Sequence, residues 1–152
     1  MTTTEPPTRP PQRLLALASW QANKVATLGA RLTTRRMQLS ARADFAVLAA
    51  LEEYGALSQA DIGRCLGLDR NDVNGILNRL EGSRHVDREV DPADRRRNVI
   101  SLTPSGGAYL QELQAHTDAV QAALLAGLDP AEQRQLHQLL AKLLDTHPPQ
   151  SA

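Results

Sequence analysis

The sequence predicts a mainly α-helical protein carrying one small β-hairpin. Apolar residues make up 41% of the chain and aromatics only 3%, and the apolar set is mostly Leu and Ala, which favour helix over strand. β-Branched and aliphatic residues gather instead in one stretch, at Val86, Val90, Val99, Ile100 and Leu102, on either side of the turn-forming run Asp91-Pro92-Ala93-Asp94. With 152 residues the chain can build one domain with a proper core, and is too short for two large ones.

Residues 1–11 are rich in Thr, Pro and Glu, residues 148–152 form another polar end with a proline, and both read as disordered tails. Leu14, Leu15, Leu17, Val25, Leu28 and Leu32 recur at helical spacing and predict one long helix from about Arg13 to Leu32, weakened at Gly29. Ser40 is a candidate cap for a second helix bearing Phe45, Leu48 and Leu51, stopped by Gly55. Ser58-Gln59-Ala60-Asp61 has the pattern of a capping box, so a short helix begins at Gln59, carries Ile62 and Leu66, and ends at Gly67. Asp69 then caps a further helix whose apolar stripe is Val73, Ile76, Leu77 and Leu80, while Arg70, Asn71, Asn74, Asn78 and Arg79 project elsewhere. Two short helices joined by a glycine-containing turn have the pattern of a helix-turn-helix. After the hairpin, Thr103-Pro104 and Asp129-Pro130-Ala131-Glu132 each begin a helix with a capping oxygen and a proline at the first position. The last helix carries Leu136, Leu139, Leu140, Leu143 and Leu144, a wide stripe suited to docking on a second subunit.

Charge alone does not point to a polyanion: Lys+Arg 17 balances Asp+Glu 17. Placement does, because Arg31, Arg35, Arg36 and Arg42 form one group and Arg95, Arg96 and Arg97 an unbroken run at the hairpin tip. A helix enters the major groove when one face packs on its domain and the other offers short polar and cationic groups, which is the division seen from Asp69 to Leu80. Asparagines can pair with adenine edges, arginines with guanine or phosphate, and Gly75 keeps bulk away from the DNA backbone. An ordinary amphipathic surface helix would show the same division, and Asp91 and Asp94 could pair with the arginines of the tip. The arginine run gives the DNA reading its weight, since a narrow minor groove concentrates negative potential that would hold such a tip.

The segment from Leu57 to Gly106 resembles the DNA-binding core of the MarR (multiple antibiotic resistance regulator) family. The residues that carry the likeness are Leu57-Ser58-Gln59, Leu66-Gly67-Leu68-Asp69-Arg70, Asp91-Pro92-Ala93-Asp94-Arg95-Arg96, and Leu102-Thr103-Pro104 with Gly106. The resemblance implies a winged helix-turn-helix over residues 37–103 and a helical dimerisation region over 12–36 and 104–147. It implies that Arg70, Asn71, Asp72, Asn74 and Asn78 face the major groove, that Arg96 enters the minor groove, and that Ser58, Gln59, Arg79, Arg95 and Arg97 meet phosphates. Arg84 departs from the pattern, standing where the family usually has the glycine that ends the recognition helix, with Gly82 as the alternative stop; Gly107 stands where a basic residue is common. An obligate homodimer on a pseudo-palindromic operator, acting as a repressor, follows from the resemblance, as does a small aromatic or phenolic effector held between the dimer helices and the DNA-binding lobe. Arg13 and Trp20 are candidate lining residues for that cleft, although a tryptophan there is more often simply a dimer-core anchor.

Other chemistries find no support in the pattern. One cysteine, Cys65, cannot form an internal disulfide or a cysteine-based zinc site, and is read as a buried structural thiol. His85, His116, His137 and His147 lack metal-ligand spacing, so no metal or cofactor is expected. No phosphate loop or catalytic triad appears, which argues against an enzyme. No apolar run reaches the roughly 18 residues of a membrane span, and a cytoplasmic location is expected. The rival reading from another class is a winged-helix module that binds a protein instead of DNA, for which neutral net charge and Asp72 speak.

Overall fold

A computed structural model of the chain describes residues 8–148; the expected tails fall outside it at residues 1–7 and 149–152. Ten elements follow in order: α1 Gln12–Leu15, α2 Ala18–Thr34, α3 Ala41–Tyr54, β1 Leu57–Ser58, α4 Gln59–Leu66, α5 Arg70–Gly82, β2 Val86–Val90, β3 Asn98–Leu102, α6 Pro104–Leu124 and α7 Pro130–Thr146. The predominance of helix with one hairpin agrees with the sequence. Among the described residues no helix is long and apolar enough to cross a membrane.

The expected single first helix is broken. Leu17 takes extended backbone and restarts the chain as α2, and Gln21 Nε2 donates to Leu15 O at 2.6 Å, satisfying a carbonyl that the break leaves without a helical partner. Gly29 does not interrupt α2; it sits where that helix meets Leu124 of α6. Ser40 also differs from expectation, having helical φ and ψ and making no side-chain cap. Gly55 does end α3, at φ +77° and ψ −155°, a conformation open in practice to glycine alone.

The core lies among α3, α4, α5 and the sheet. Leu48, Ile62, Leu77, Leu80 and Ile100 are among its fully buried side chains, and Leu110 and Leu113 of α6 close it from the other side. Each buried leucine or isoleucine contributes about 1.5–3 kcal/mol by leaving water. A strand at the expected helix start completes the sheet: β1 pairs with β3, Leu57 opposite Ile100 and Ser58 opposite Val99, giving the antiparallel order β1-β3-β2. Two residues are too few for any alternation to reveal a strand.

The exit from α5 explains how the chain tolerates Arg84. His85 N donates to Leu80 O at 2.8 Å and Arg84 N to Glu81 O at 2.9 Å, the paired bonds of a Schellman motif, which places Arg84 in the left-handed position at φ 61°. Gly82 therefore remains helical and the stop falls at the position where the family resemblance puts a glycine, with arginine paying the steric cost. Arg84→Gly is expected to stabilise the protein by about 0.5–1 kcal/mol, relief of left-handed strain being partly offset by a freer unfolded chain; urea unfolding at fixed protein concentration reads it.

Thr103 then locks α6 to this turn. Its Oγ1 accepts from Gly106 N at 2.9 Å and donates to Arg84 O at 2.7 Å, and its N–H donates to His85 O at 3.2 Å. At the far end Asp129 and Glu132 form a full capping box for α7. That helix buries no residue, and Leu139, Leu140, Leu143 and Leu144 are exposed along it.

Candidate nucleic-acid interface

Asp69 caps α5 by accepting from Asp72 N at 2.8 Å, and Gly67, in the left-handed conformation at φ 65°, ends α4. Together they set the angle between the two helices. Val73, Ile76, Leu77 and Leu80 bury one face of α5, and Arg70, Asn71, Asp72, Asn74 and Asn78 are all exposed. Asn71, Asn74 and Asn78, spaced three and four apart, make a single stripe.

The wing tip is shaped by its aspartates. Asp91 Oδ1 accepts from Ala93 N at 2.8 Å and Asp94 Oδ1 from Arg96 N at 3.0 Å, two successive Asx turns. Their carboxylates thus hold backbone, and among the described residues Arg95 and Arg96 form no ion pair. The alternative of an arginine run neutralised by its neighbouring acids does not describe those two residues.

A groove of about 760 Å³ runs between the helix-turn-helix and the wing, lined by Gln59, Arg64, Arg70, Arg96 and Arg97, with Asp69 as its single acid. It gathers residues that are distant in sequence and creates a basic surface on a protein of zero formal charge. Nothing in the sequence singles out Arg64. Its ion pair with Asp61, three residues earlier on the same helix, makes it look like a routine surface arginine.

Asp61 braces the groove from behind. It pairs with Arg64 and lies 3.4 Å from Arg97 Nη2 of the wing, and it accepts from Ser58 Oγ at 2.6 Å. The Ser58 hydroxyl is the chief reason its carboxyl is held below the ordinary range, outweighing partial burial, with the two arginines adding to the effect. A depressed carboxyl contributes stability above its ordinary pKa that is lost as pH falls through the folded value. Acid should therefore loosen the wing only below the usual carboxylate range, and Asp61→Asn should remove that step; thermal unfolding followed from pH 6 downwards reads both.

Four expectations need correction here. Ser58 is 6% exposed and its hydroxyl caps α4 through Asp61 N at 3.1 Å, so it builds the interface from within instead of offering its side chain to phosphate. The capping box is half formed, because Asp61 accepts from the hydroxyl of Ser58 and not from its backbone N–H. Arg79, expected beside a phosphate, is drawn back by the buried Asp44 of α3, its Nη2 2.6 Å from Asp44 Oδ1. A charge-assisted bond to a carboxylate that is itself only 10% exposed outcompetes hydration of the free guanidinium. Cys65, expected buried, is exposed on the outer side of α4.

At the C-terminal end of α5 a cleft of about 420 Å³ opens between the α2–α3 connection, α3, α5 and α6, lined among others by Arg36, Asp44, Arg79, His85, Tyr109 and His116. His85 stacks on Tyr109 with ring centroids 4.4 Å apart, and burial, then Asp44, pushes the Tyr109 hydroxyl above its ordinary pKa. Neither Arg13 nor Trp20 lines this cleft; Trp20 is half-buried on α2 with the Lys24 ammonium 5.2 Å from its ring centroid. Among the described residues no group of three metal-ligating side chains is assembled.

Two helices in helix-turn-helix arrangement, a three-stranded sheet with a basic tip and long flanking helices define a winged helix-turn-helix protein. The MarR family profile matches residues 38–97. A probable transcriptional regulator from Pseudomonas aeruginosa of known crystal structure is 30% identical, with a TM-score of 0.77 over 86% of this chain and 99% of that one. The chain belongs to the MarR family of winged helix-turn-helix transcriptional regulators. BpsR of Bordetella bronchiseptica, whose DNA binding is regulated by 6-hydroxynicotinic acid, is 28% identical with a TM-score of 0.74, over 82% of this chain and 96% of that one. The HTH-type transcriptional repressor NicR of Pseudomonas putida is 30% identical over 67% of this chain, and the match spans 65% of the repressor's own length, just under two thirds.

Proposed function

We propose that the protein is a homodimeric regulator that binds double-stranded DNA sequence-specifically at a pseudo-palindromic operator and acts as a repressor. The observation that carries this reading is the groove between helix-turn-helix and wing, where Arg64, Arg70, Arg96 and Arg97 converge beside the exposed asparagine stripe. In it, Arg70, Asn71, Asp72, Asn74 and Asn78 read base edges, Arg96 enters the minor groove, and Gln59, Arg95 and Arg97 meet phosphates. Residues 12–36 and 104–147 form the dimerisation region. The exposed leucines of α7 support it, being too many and too regular to face water in a lone protomer. NicR, itself a repressor, supports the sign of regulation.

A small aromatic or phenolic ligand is the proposed effector, and the cleft beside His85 and Tyr109 is its proposed seat. An occupant there touches the Asp44–Arg79 pair and so the C-terminal end of the recognition helix. It would shift DNA affinity only by favouring one spacing of the two recognition helices over another. BpsR, regulated by a hydroxylated heteroaromatic acid, supports this chemical class.

Selection of bound duplexes from a random library, followed by a salt titration on the selected sequence, tests the reading. The expected result is a two-fold symmetric motif with half-sites about 34–36 Å apart. Affinity should fall by about 10³ between 50 and 200 mM salt if three cations per protomer neutralise phosphates. No enrichment at low salt would overturn the DNA reading in favour of a protein-binding module.

A further inference from the structure

Resting on that reading, we propose that Arg88 of the wing sets which base Asn78 can read, restricting it to guanine or thymine while Asn71 and Asn74 stay free to read adenine. Arg88 stands in the middle of β2, opposite Ile100 in the ladder, and its side chain is 19% exposed. From there it crosses to α5. Its Nη2 donates to Asn78 Oδ1 at 3.2 Å, and its Nε lies 3.1 Å from Glu81 Oε2, an ion pair out of line for a hydrogen bond.

A guanidinium has donors only and keeps its charge at any physiological pH. The amide atom that faces Arg88 is therefore the oxygen, whichever way an isolated amide might turn. Glu81, one turn further along α5, holds the guanidinium in place, and the packed stem of Arg88 over the sheet leaves it little freedom to swing away. Asn78 itself is exposed. The bond from Arg88 takes one of the oxygen's two lone pairs, and because the guanidinium making it is largely buried, the oxygen is turned toward the protein and the NH₂ outward.

Adenine is recognised by an amide that accepts from N6–H and donates to N7 at the same time. With the oxygen turned toward Arg88, Asn78 does not present both atoms side by side to one base edge. Guanine, with O6 and N7, and thymine, with O4, present no donor beside their major-groove acceptors, whereas adenine offers N7 to a lone donor but leaves its adjacent amino group facing no acceptor. No hydrogen bond within the described residues engages the side chain of Asn71 or Asn74, so the restriction falls on Asn78 alone. Arg88 acts here as a positioning residue that never touches the base.

Duplex selection with the full chain tests this through base preference, which a merely structural role for Arg88 would leave unmoved. Asn78→Ala should erase preference at one base pair of each half-site. At that pair the unaltered protein should prefer guanine or thymine over adenine by about tenfold, the discrimination of one good base contact. Arg88→Lys retains a donor and should keep the preference; Arg88→Met, which frees the oxygen, should move it to adenine. Asn78→Asp still accepts from Arg88 but has no N–H to offer, and should lose the preference as fully as Asn78→Ala, which keeps the test decisive if Arg88→Met does not fold. Adenine selected at the Asn78 pair by the unaltered protein, an unchanged preference in folded Arg88→Met, or an unchanged preference in Asn78→Asp would each overturn the inference. So would an Asn78→Ala profile identical to the parent's, although the regulator reading would stand. A parent protein that selects no symmetric motif overturns both.

Discussion

Gly106→Ala is expected to cost about 3 kcal/mol or more and to lower the melting temperature by about 10 °C. A Cβ at this position would overlap His85 O, and would also press on Leu102 Cδ1 at 2.8 Å. The carbonyl cannot step aside cheaply, because it accepts from Thr103 N and belongs to the turn that fixes Arg84 in its left-handed conformation. Yielding there would shift β2 and the C-terminal end of the recognition helix together. A loss of this size is a large fraction of the roughly 5–15 kcal/mol that holds a domain of this kind folded. Gly107→Ala supplies the control: no atom lies within 4 Å of its added Cβ, and replacing glycine inside α6 should stabilise by about 0.5–1 kcal/mol. Melting both variants at the same protein concentration, since a dimer's stability depends on it, reads the contrast. Equal melting temperatures for Gly106→Ala and its parent would show that the junction of α6 with the hairpin is not packed as described.

How much of this was legible in the sequence depended on whether each feature is written in local chemistry. The caps at Asp69, Thr103 and Asp129 were readable because a capping oxygen acts on a backbone N–H three residues away. The apolar stripe of α5 was readable from its period, and all four of its predicted members are buried. What failed is what depends on distant partners. Arg79 carries no mark in sequence that a carboxylate 35 residues earlier will capture it, and Asp44 reads as one polar residue on an amphipathic helix. Likewise alternation puts Arg88 on the same face of β2 as Val86 and Val90, but nothing local marks that its guanidinium is spent on α5. The break at Leu17 was hidden because leucines continue at helical spacing across it. The left-handed stop at Arg84 was hidden because arginine seldom takes that conformation, so the glycine nearby looked like the better stop.

Arg96→Ala is expected to weaken binding to the selected operator by about 10- to 100-fold, in line with about 1–3 kcal/mol for a good specific contact, without unfolding the protein. The reason lies in what holds the tip together. Its turns are made by Asp91 and Asp94 accepting from backbone, and the strands close through Asp91 N donating to Arg97 O at 2.8 Å. The Arg96 side chain takes part in none of these bonds, so removing it spares the shape of the wing. The same geometry separates Arg96 from Arg97, whose guanidinium is shared with Asp61. Arg97→Ala should therefore lose less affinity, and part of its loss should come from a looser wing that Asp61→Asn reproduces. Salt dependence distinguishes the two roles further: a phosphate contact lowers the slope of log K against log salt by about 0.9 per charge on duplex DNA, whereas an arginine seated in a narrow minor groove also loses its preference for A·T-rich flanks. Fluorescence anisotropy on operators with A·T-rich and G·C-rich flanks, each titrated with salt, gives both quantities in one experiment. If Arg96→Ala keeps wild-type affinity for both operators, the wing arginine has no place in DNA recognition. If it weakens both equally and changes only the salt slope, Arg96 meets the phosphate backbone and the minor-groove assignment falls.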